Sequence, residues 1–363
     1  MRPQINPALR RVWRDPETVQ IGLDPERALV LTGLDPALRH IVDDLTGGQT
    51  QNAQTQDALL DAALARGADC QDSRRLLRLL CEGGALLDAD SAADALDGLG
   101  PAERERLAPD LAARSLVTRG LDGGAADLRR RRATRVSVFG AGRVGASVAT
   151  MLASAGVGQV NVVDRCIARP TDLAPAGLSG RDIGRPRAVG AARAAAAAGP
   201  STEVGTVGDA RAAERPDIAV LAPDDEPDRA LADALVRAGV PHLVVRIREA
   251  RAILGPFVLP GESSCVRCHD LHRAARDPLW PRVLEEVLAA PCVAPACDVV
   301  LATGIAAHAV LHLLAFLDGT RPASVDATVE MTLPAGSLRR RSWSAHPSCG
   351  CHWDPEPAPF VAA

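Results

Sequence analysis

RVSVFGAGRVGASVATMLASAGVGQVNVVD, residues Arg135 to Asp164, spells out a complete βαβ unit. An apolar strand, Val136 to Phe139, turns through Gly140-Ala141-Gly142-Arg143-Val144-Gly145 into an alanine-rich helix that runs to about Ala155. A second strand, Gln159 to Val163, ends in Asp164. The glycines have separate tasks: Gly140 permits the tight turn, Gly142 lets backbone approach a phosphate, and Gly145 lets the helix lie close to the strand. The helix N-terminus adds unpaired N–H groups that favour an anion. Asp164, at the tip of the second strand, is placed to accept hydrogen bonds from ribose hydroxyls. Gly140, Gly142, Arg143, Gly145 and Asp164 are therefore the expected nucleotide contacts, with ATP and NAD both open at this point.

The rest of the composition narrows the class. The chain has 363 residues, enough for two or three domains, and is 47% hydrophobic and 24% charged. A net charge of -4 and the lack of a long basic stripe argue against nucleic acid as a partner. The N-terminus lacks the apolar core of a signal peptide and no apolar run is expected to span a membrane, so a cytoplasmic protein is expected. There is no lysine and no tyrosine, so every cationic role falls to arginine or histidine.

Upstream of the βαβ unit, residues 1–95 predict a small winged-helix-like α+β module. Glu17 to Leu23 and Arg27 to Thr32 predict strands around the turn Asp24-Pro25-Glu26. Helices follow at about Pro36 to Leu45, stopping at Gly47-Gly48, at Gln54 to Arg66, and at Asp72 to Glu82 with Leu76, Leu77, Leu79 and Leu80 inward. Ala85 to Asp88 predicts a closing strand. The acidic residues around the third helix disfavour nucleic acid, and a sheet edge beside a helix groove suits a peptide. Residues 96–134 predict a helical linker with an amphipathic piece at Pro101 to Arg119, in which Arg129 to Arg132 is a solvated face.

Residues 135–363 predict a Rossmann-like domain with a mostly parallel sheet. After Asp164 comes a long polar excursion, Arg165 to Arg187, at the strand edge where ligands bind. A helix at Ala188 to Ala198 follows, then a strand at Asp217 to Leu221 that ends in Pro223-Asp224-Asp225. Asp225 suits the cap of the next helix, Glu226 to Ala238, which leaves Asp224 for the ligand. Strands are expected at His242 to Ile247 and Ala252 to Leu259, with a hairpin around Thr328 to Trp343 near the C-terminus.

Nine cysteines are too sparse for a disulfide scaffold, and their spacing matters more than their number. Cys265-Val266-Arg267-Cys268 and Cys349-Gly350-Cys351 are two close pairs far apart in sequence, the pattern of a tetrahedral zinc that staples one segment to another. His269, His272, His346 and His352 lie nearby as alternative ligands. Cys292 and Cys297 precede the apolar helix Val299 to Leu317, and a thiol at a helix N-terminus has its thiolate stabilised, which makes Cys297 a candidate nucleophile.

Together, the glycine loop, Asp164, the loop to Arg187, Pro223-Asp224-Asp225 and both cysteine pairs resemble the ThiF/MoeB family, relatives of ubiquitin-activating enzymes, over about residues 115 to 353. The resemblance implies Mg2+-ATP binding and adenylation of a carboxylate on a peptide or ubiquitin-like carrier protein. Asp224 would hold magnesium, and Arg187, in Gly184-Arg185-Pro186-Arg187, stands where the family has its phosphate-binding lysine. The family loop N-L-x-R-Q is replaced by Asp172-Leu173-Ala174-Pro175-Ala176, which brings a carboxylate toward the triphosphate and removes an arginine. Arg169 or Arg181 would then substitute, or Asp172 would serve the metal. The N-terminal module resembles the leader-peptide recognition domains fused to such proteins in ribosomal peptide natural-product pathways.

The expected function is therefore ATP-dependent adenylation, with Asp224, Arg187 and Cys297 as catalytic candidates. The alternative is an inactive scaffold that delivers a precursor peptide to a cyclodehydratase; an NAD-dependent oxidoreductase leaves the cysteine pairs unexplained. A homodimer and a sulfur-transfer or cyclodehydratase partner are expected by resemblance.

Overall fold

In the computed structural model, which describes residues 1–46, 54–91, 96–206, 215–290 and 296–352, the chain forms two compact units, Met1–Arg129 and Arg130–Ala363. In the first unit β1 (Pro3–Ile5), β2 (Arg11–Asp15), β3 (Thr18–Ile21), β4 (Leu29–Leu31) and β5 (Leu86–Asp88) make two antiparallel sheets, β1 with β5 and β2-β3-β4. The expected hairpin is thus β3–β4, shorter than the sequence suggests. The closing strand pairs with the first strand of the chain instead of with that hairpin. β1 is too short, and Arg-Val-Trp-Arg-Asp of β2 too polar, to announce themselves by alternation.

Three helices, Pro36–Asp44, Gln56–Ala65 and Cys70–Glu82, start where a polar side chain can cap them. Asp35 accepts from the Leu38 N–H, Thr55 from Ala58, and Asp69 from Gln71 and Asp72. Leu76, Leu77 and Leu80 face a core that includes Val19, Ile21 and Ile41. Leu79 does not, because a stripe of period 3.6 that takes its three neighbours leaves it outside. The expected helix stop at Gly47-Gly48 lies outside the described residues. A longer helix, Pro101–Thr118, belongs to the same unit, and its Ser115 hydroxyl accepts a 2.8 Å bond from the Asn6 side chain.

The second unit is built on one eight-stranded sheet: β6 (Arg135–Phe139), β7 (Gln159–Val163), β8 (Glu203–Thr206), β9 (Ile218–Leu221), β10 (His242–Arg248), β11 (Arg251–Val258), β12 (Ala327–Thr332) and β13 (Ser337–Ser342). Their spatial order is β13-β12-β11-β10-β9-β6-β7-β8. The run β8-β7-β6-β9-β10 is parallel, and β11 to β13 continue it antiparallel. Helices Arg143–Ser154, Arg187–Ala198 and Val299–Leu317 share one core with the sheet, and helix Arg229–Arg237 packs in a separate core with Ala219, Leu221 and Val244. Two layers of helix thus enclose a Rossmann-like sheet. The chain leaves β6 for β7 on one side and returns to β9 on the other. The crevice at their carboxyl ends is the place where such folds bind ligands.

Three expectations change here. Helix Arg229–Arg237 begins later than expected and is capped by Asp228, whose carboxylate accepts from Ala230 and Leu231, so Asp225 is not the cap. Arg131 is not solvated: it sits in helix Ala125–Ala133 and makes a buried two-point ion pair with Asp318, at 2.9 and 2.5 Å. Helix Val299–Leu317, 19 residues with mean hydropathy 2.0, does reach the length and apolarity of a membrane span. Leu301, Ala302, Ile305, Ala306, Ala309, Val310 and Leu313 are buried along it, which makes it a core helix of this unit.

Candidate functional site

The glycine loop joins β6 to helix Arg143–Ser154 at the crevice. Gly140 has φ +102°, a region that disfavours any side chain, and a Cβ there would overlap the Ala222 carbonyl at the end of β9. A Cβ on Gly145 would overlap the Gly140 carbonyl, so the helix packs on its own strand only because that residue is glycine. A Cβ on Gly142 would strike Asp224 Oδ1, and Arg187 Nη1 lies 3.8 Å from the same point. The loop, Asp224 and Arg187 therefore meet at one spot. Asp164 accepts from the Ala141 N–H at 2.7 Å and, through its other oxygen, from the Cys166 N–H at 2.7 Å. Each carboxylate oxygen keeps a further lone pair, so this positioning of the loop leaves Asp164 able to accept from a hydroxyl.

The long segment after Asp164 is ordered by charge. Arg187 is 7% exposed and heads the helix Arg187–Ala198. Its Nε and Nη2 donate to the two oxygens of Asp172, at 2.8 and 2.6 Å, and its Nη1 donates to Asp224 at 2.6 Å, with Asp164 3.8 Å away. Burial opposes the positive charge, yet the bonds to Asp224 and Asp172 hold the Arg187 pKa above its ordinary value. Asp172 also accepts from the Arg169 N–H. Farther along, Asp182 receives Ser179 and Arg193; these bonds outweigh burial and hold its carboxyl below the usual carboxylate range.

The departure of Asp172 from the family loop is thereby explained. Its carboxylate is the buried counter-ion of Arg187, so the pair adds no net negative charge. Arg169 and Arg181 are both exposed, and Arg169 contributes its backbone N–H to Asp172. Sequence reading missed this pairing. The available signal was that the family's asparagine and lysine positions changed together, to aspartate and arginine.

Arg143 donates to the Cys297 carbonyl, which ties the glycine loop to the chain just before helix Val299–Leu317. Burial pushes the Cys297 thiol up, with Arg143 acting against that shift. The direction is opposite to the thiolate stabilisation expected of a helix N-terminus, and Asp298 supplies the cap itself. Cys292 lies outside the described residues.

Cys265, Cys268, Cys349 and Cys351 come together, their sulfurs all within 4.8 Å of one another. Cys265–Cys268, Cys265–Cys349 and Cys268–Cys351 are 3.8, 3.5 and 3.4 Å apart. A tetrahedron with metal–sulfur bonds of about 2.3 Å has edges of about 3.8 Å, so four thiolates here fit zinc. The His346 N–H donates to Cys268 Sγ at 3.3 Å, an outer contact that orients the ligand. Of the neighbouring imidazoles, His269 stacks on Trp343 at 4.4 Å, His272 bonds the Ser344 carbonyl, and His346 Nδ1 accepts from Ser348. The closed four-cysteine arrangement joins the start of helix Val266–Arg276 to the segment after β13 and leaves no open position for catalysis.

Fold and site together define an α/β protein with a Rossmann-like sheet and a cluster of four cysteines that could hold a metal ion. Residues 114–352 match the ThiF family, and the chain belongs to that family. Among solved structures it is similar to E. coli MccB with ATP (TM-score 0.67, 15% identity, covering 97% of this chain and 100% of that one). It is likewise similar to the microcin C7 biosynthetic enzyme MccB in complex with N-formylated MccA (TM-score 0.68, 15% identity, 97% and 100%). PaaA is a third such structure (TM-score 0.65, 15% identity, 93% and 99%). A comparison with curated protein sequences finds no match.

Proposed function

We propose that this protein adenylates a carboxylate of a peptide, using ATP and magnesium and releasing pyrophosphate. The observation that carries the reading is the meeting of Gly142, Asp224 and Arg187 at the carboxyl edge of β6 and β9. The glycine loop and the start of helix Arg143–Ser154 receive phosphate, and Asp164 receives the ribose. Asp224, whose side chain is 52% exposed, would hold the magnesium, which offsets charge on the departing pyrophosphate. Arg187, held in place by Asp172, supplies a fixed cation, so positioning and electrostatics do most of the work. Cys297 serves structure in this scheme, given its raised thiol and the Arg143 contact to its carbonyl.

The first unit is the peptide-recognition module. β2 and β4 are the outer strands of its three-stranded sheet and expose Val12 and Val30, which suits an added peptide strand. The family and the fold shared with a protein solved in complex with MccA support this reading.

One observation favours a non-catalytic, peptide-delivering scaffold as the second reading: every nitrogen of the Arg187 guanidinium already donates to a carboxylate. ATP–pyrophosphate exchange on the purified chain, with magnesium and candidate peptides, separates the two. Adenylation predicts peptide-dependent exchange that Asp224→Ala reduces at least a hundredfold. Peptide binding to the first unit without exchange selects the scaffold.

A further inference from the structure

A second charged region lies farther along the same sheet, where β10 to β13 meet helix Val266–Arg276. Val244 of β10 is in register with Leu221 of β9, so Arg246 and Arg248 extend past the end of β9, alongside the segment that carries Asp224. Glu226 of that segment accepts from Arg248 and Arg229 and lies 3.4 Å from Arg246 Nε. Beyond Arg248 opens a cavity of about 360 Å³, within the range of roughly 300–1,000 Å³ usual for ligand pockets. Its lining includes Arg248, Arg251, Arg273, Arg276 and Arg341, five guanidiniums, against two carboxylates, Glu249 and Glu330. Trp343 and Ile253 give it an apolar wall.

These cations share too few counter-ions. Glu330 is divided between Arg251 at 3.1 Å and Arg341 at 3.5 Å, and Asp270 between Arg229 at 3.1 Å and Arg273 at 3.4 Å. Arg276 lies over the Trp343 ring at 5.6 Å. Arg246, outside the cavity lining, has a buried Nε that pairs with Glu226 at 3.4 Å without a hydrogen bond among the described residues. Burial, followed by repulsion from neighbouring arginines, pushes Arg273 and Arg246 down to about 10. A concave cluster of guanidiniums in that condition gains when an oxyanion enters.

We propose that this cavity binds the carboxylate side chain of an acidic residue in the peptide substrate. The proposal rests on the adenylation reading and names its substrate class, an acidic peptide. The carboxylate meets the guanidiniums that line the cavity. Phosphate shares the same oxyanion chemistry, so the test includes it.

The full-length chain is titrated calorimetrically with tetraglutamate, tetraglutamine, pyrophosphate and, separately, ATP. Tetraglutamate is expected to bind at least tenfold more tightly than tetraglutamine. The Arg276→Gln/Arg341→Gln double variant should lose that advantage while keeping the parent's thermal midpoint and ATP affinity. Arg237→Gln, on the exposed side of helix Arg229–Arg237, should bind tetraglutamate as the parent does. Equal binding of the two peptides, or unchanged tetraglutamate affinity in the cavity variant, overturns the proposal. So does pyrophosphate binding that the cavity variant loses while tetraglutamate does not bind. ATP binding by neither protein, with tetraglutamate still arginine-dependent, would instead defeat the adenylation reading and leave the cavity assignment standing.

Discussion

The cysteine corner and the charged strand edge both gather four or more polar groups from distant parts of the chain, yet they are held in opposite ways. At the corner, four like ligands repel one another unless a cation is present, and the arrangement has one purpose. At the edge, Arg187 is satisfied by Asp172 and Asp224 with no ligand required, and one of those bonds faces solvent while the other is buried. The corner fixes structure; the edge can exchange partners, which a binding site must do.

The sharpest way to break this contrast is at the corner. Cys268→Ser, or removal of zinc by a strong chelator, is expected to cost on the order of 10 kcal/mol of metal-linked folding energy, more than a domain of this kind has to lose. Zinc content of one per chain in the parent, and loss of a cooperative thermal transition in the variant, would bear this out. A variant that melts like the parent would mean that the thiols carry no structural metal.

A smaller effect is expected at the edge. Asp172→Asn leaves Arg187 with its solvent-facing bond to Asp224 and the longer pairing with Asp164, and should destabilise by up to about 3 kcal/mol, because a buried arginine that loses its two-point counter-ion is costly. Adding Arg187→Lys to that variant restores the asparagine–lysine combination of the family and should recover more than half of the loss. Denaturant unfolding of both single variants and the double variant closes the cycle; simple additivity would show that the two residues are not coupled.

The smallest effect separates the edge from the corner by pH. The Asp182 carboxyl is lower in the folded chain than its unfolded value of about 3.9, so the unfolded chain takes up a proton first on acidification. Its contribution is complete above that value and is lost as the pH falls toward the folded pKa. Because Arg193 is partly exposed, the contribution is under about 1 kcal/mol. Arg193→Met should lower stability at neutral pH by no more than about 1 kcal/mol, leave it unchanged below the folded pKa, and so flatten the acid limb of the stability curve below about pH 4. An unaltered limb would remove this pair from the account.

How far the sequence could be read followed the same division. The βαβ unit was legible because Gly140, Gly142 and Gly145 answer steric demands that are local, and the cysteine pairs because zinc chemistry admits few ligand types. The first-unit helices were legible from capping residues such as Asp35 and Asp69. What escaped was the choice among chemically similar partners. Forty-one arginines and forty-five acids offer too many combinations for spacing to select among. Asp172 therefore reads as a stray negative charge and Arg131 as a solvated one until the fold supplies Arg187 and Asp318.

The sequence by itself determined a nucleotide-type glycine loop on a parallel sheet and a four-thiol cluster of metal-ligand type, because backbone sterics and ligand chemistry act over a few residues. Only the tertiary structure decided that Arg187 is clasped between Asp172 and Asp224, that Asp228 and not Asp225 caps its helix, and that β10 to β13 gather arginines farther along the same sheet. Ion pairing depends on which charges the fold brings within a few ångströms and removes from water, and no linear spacing records that.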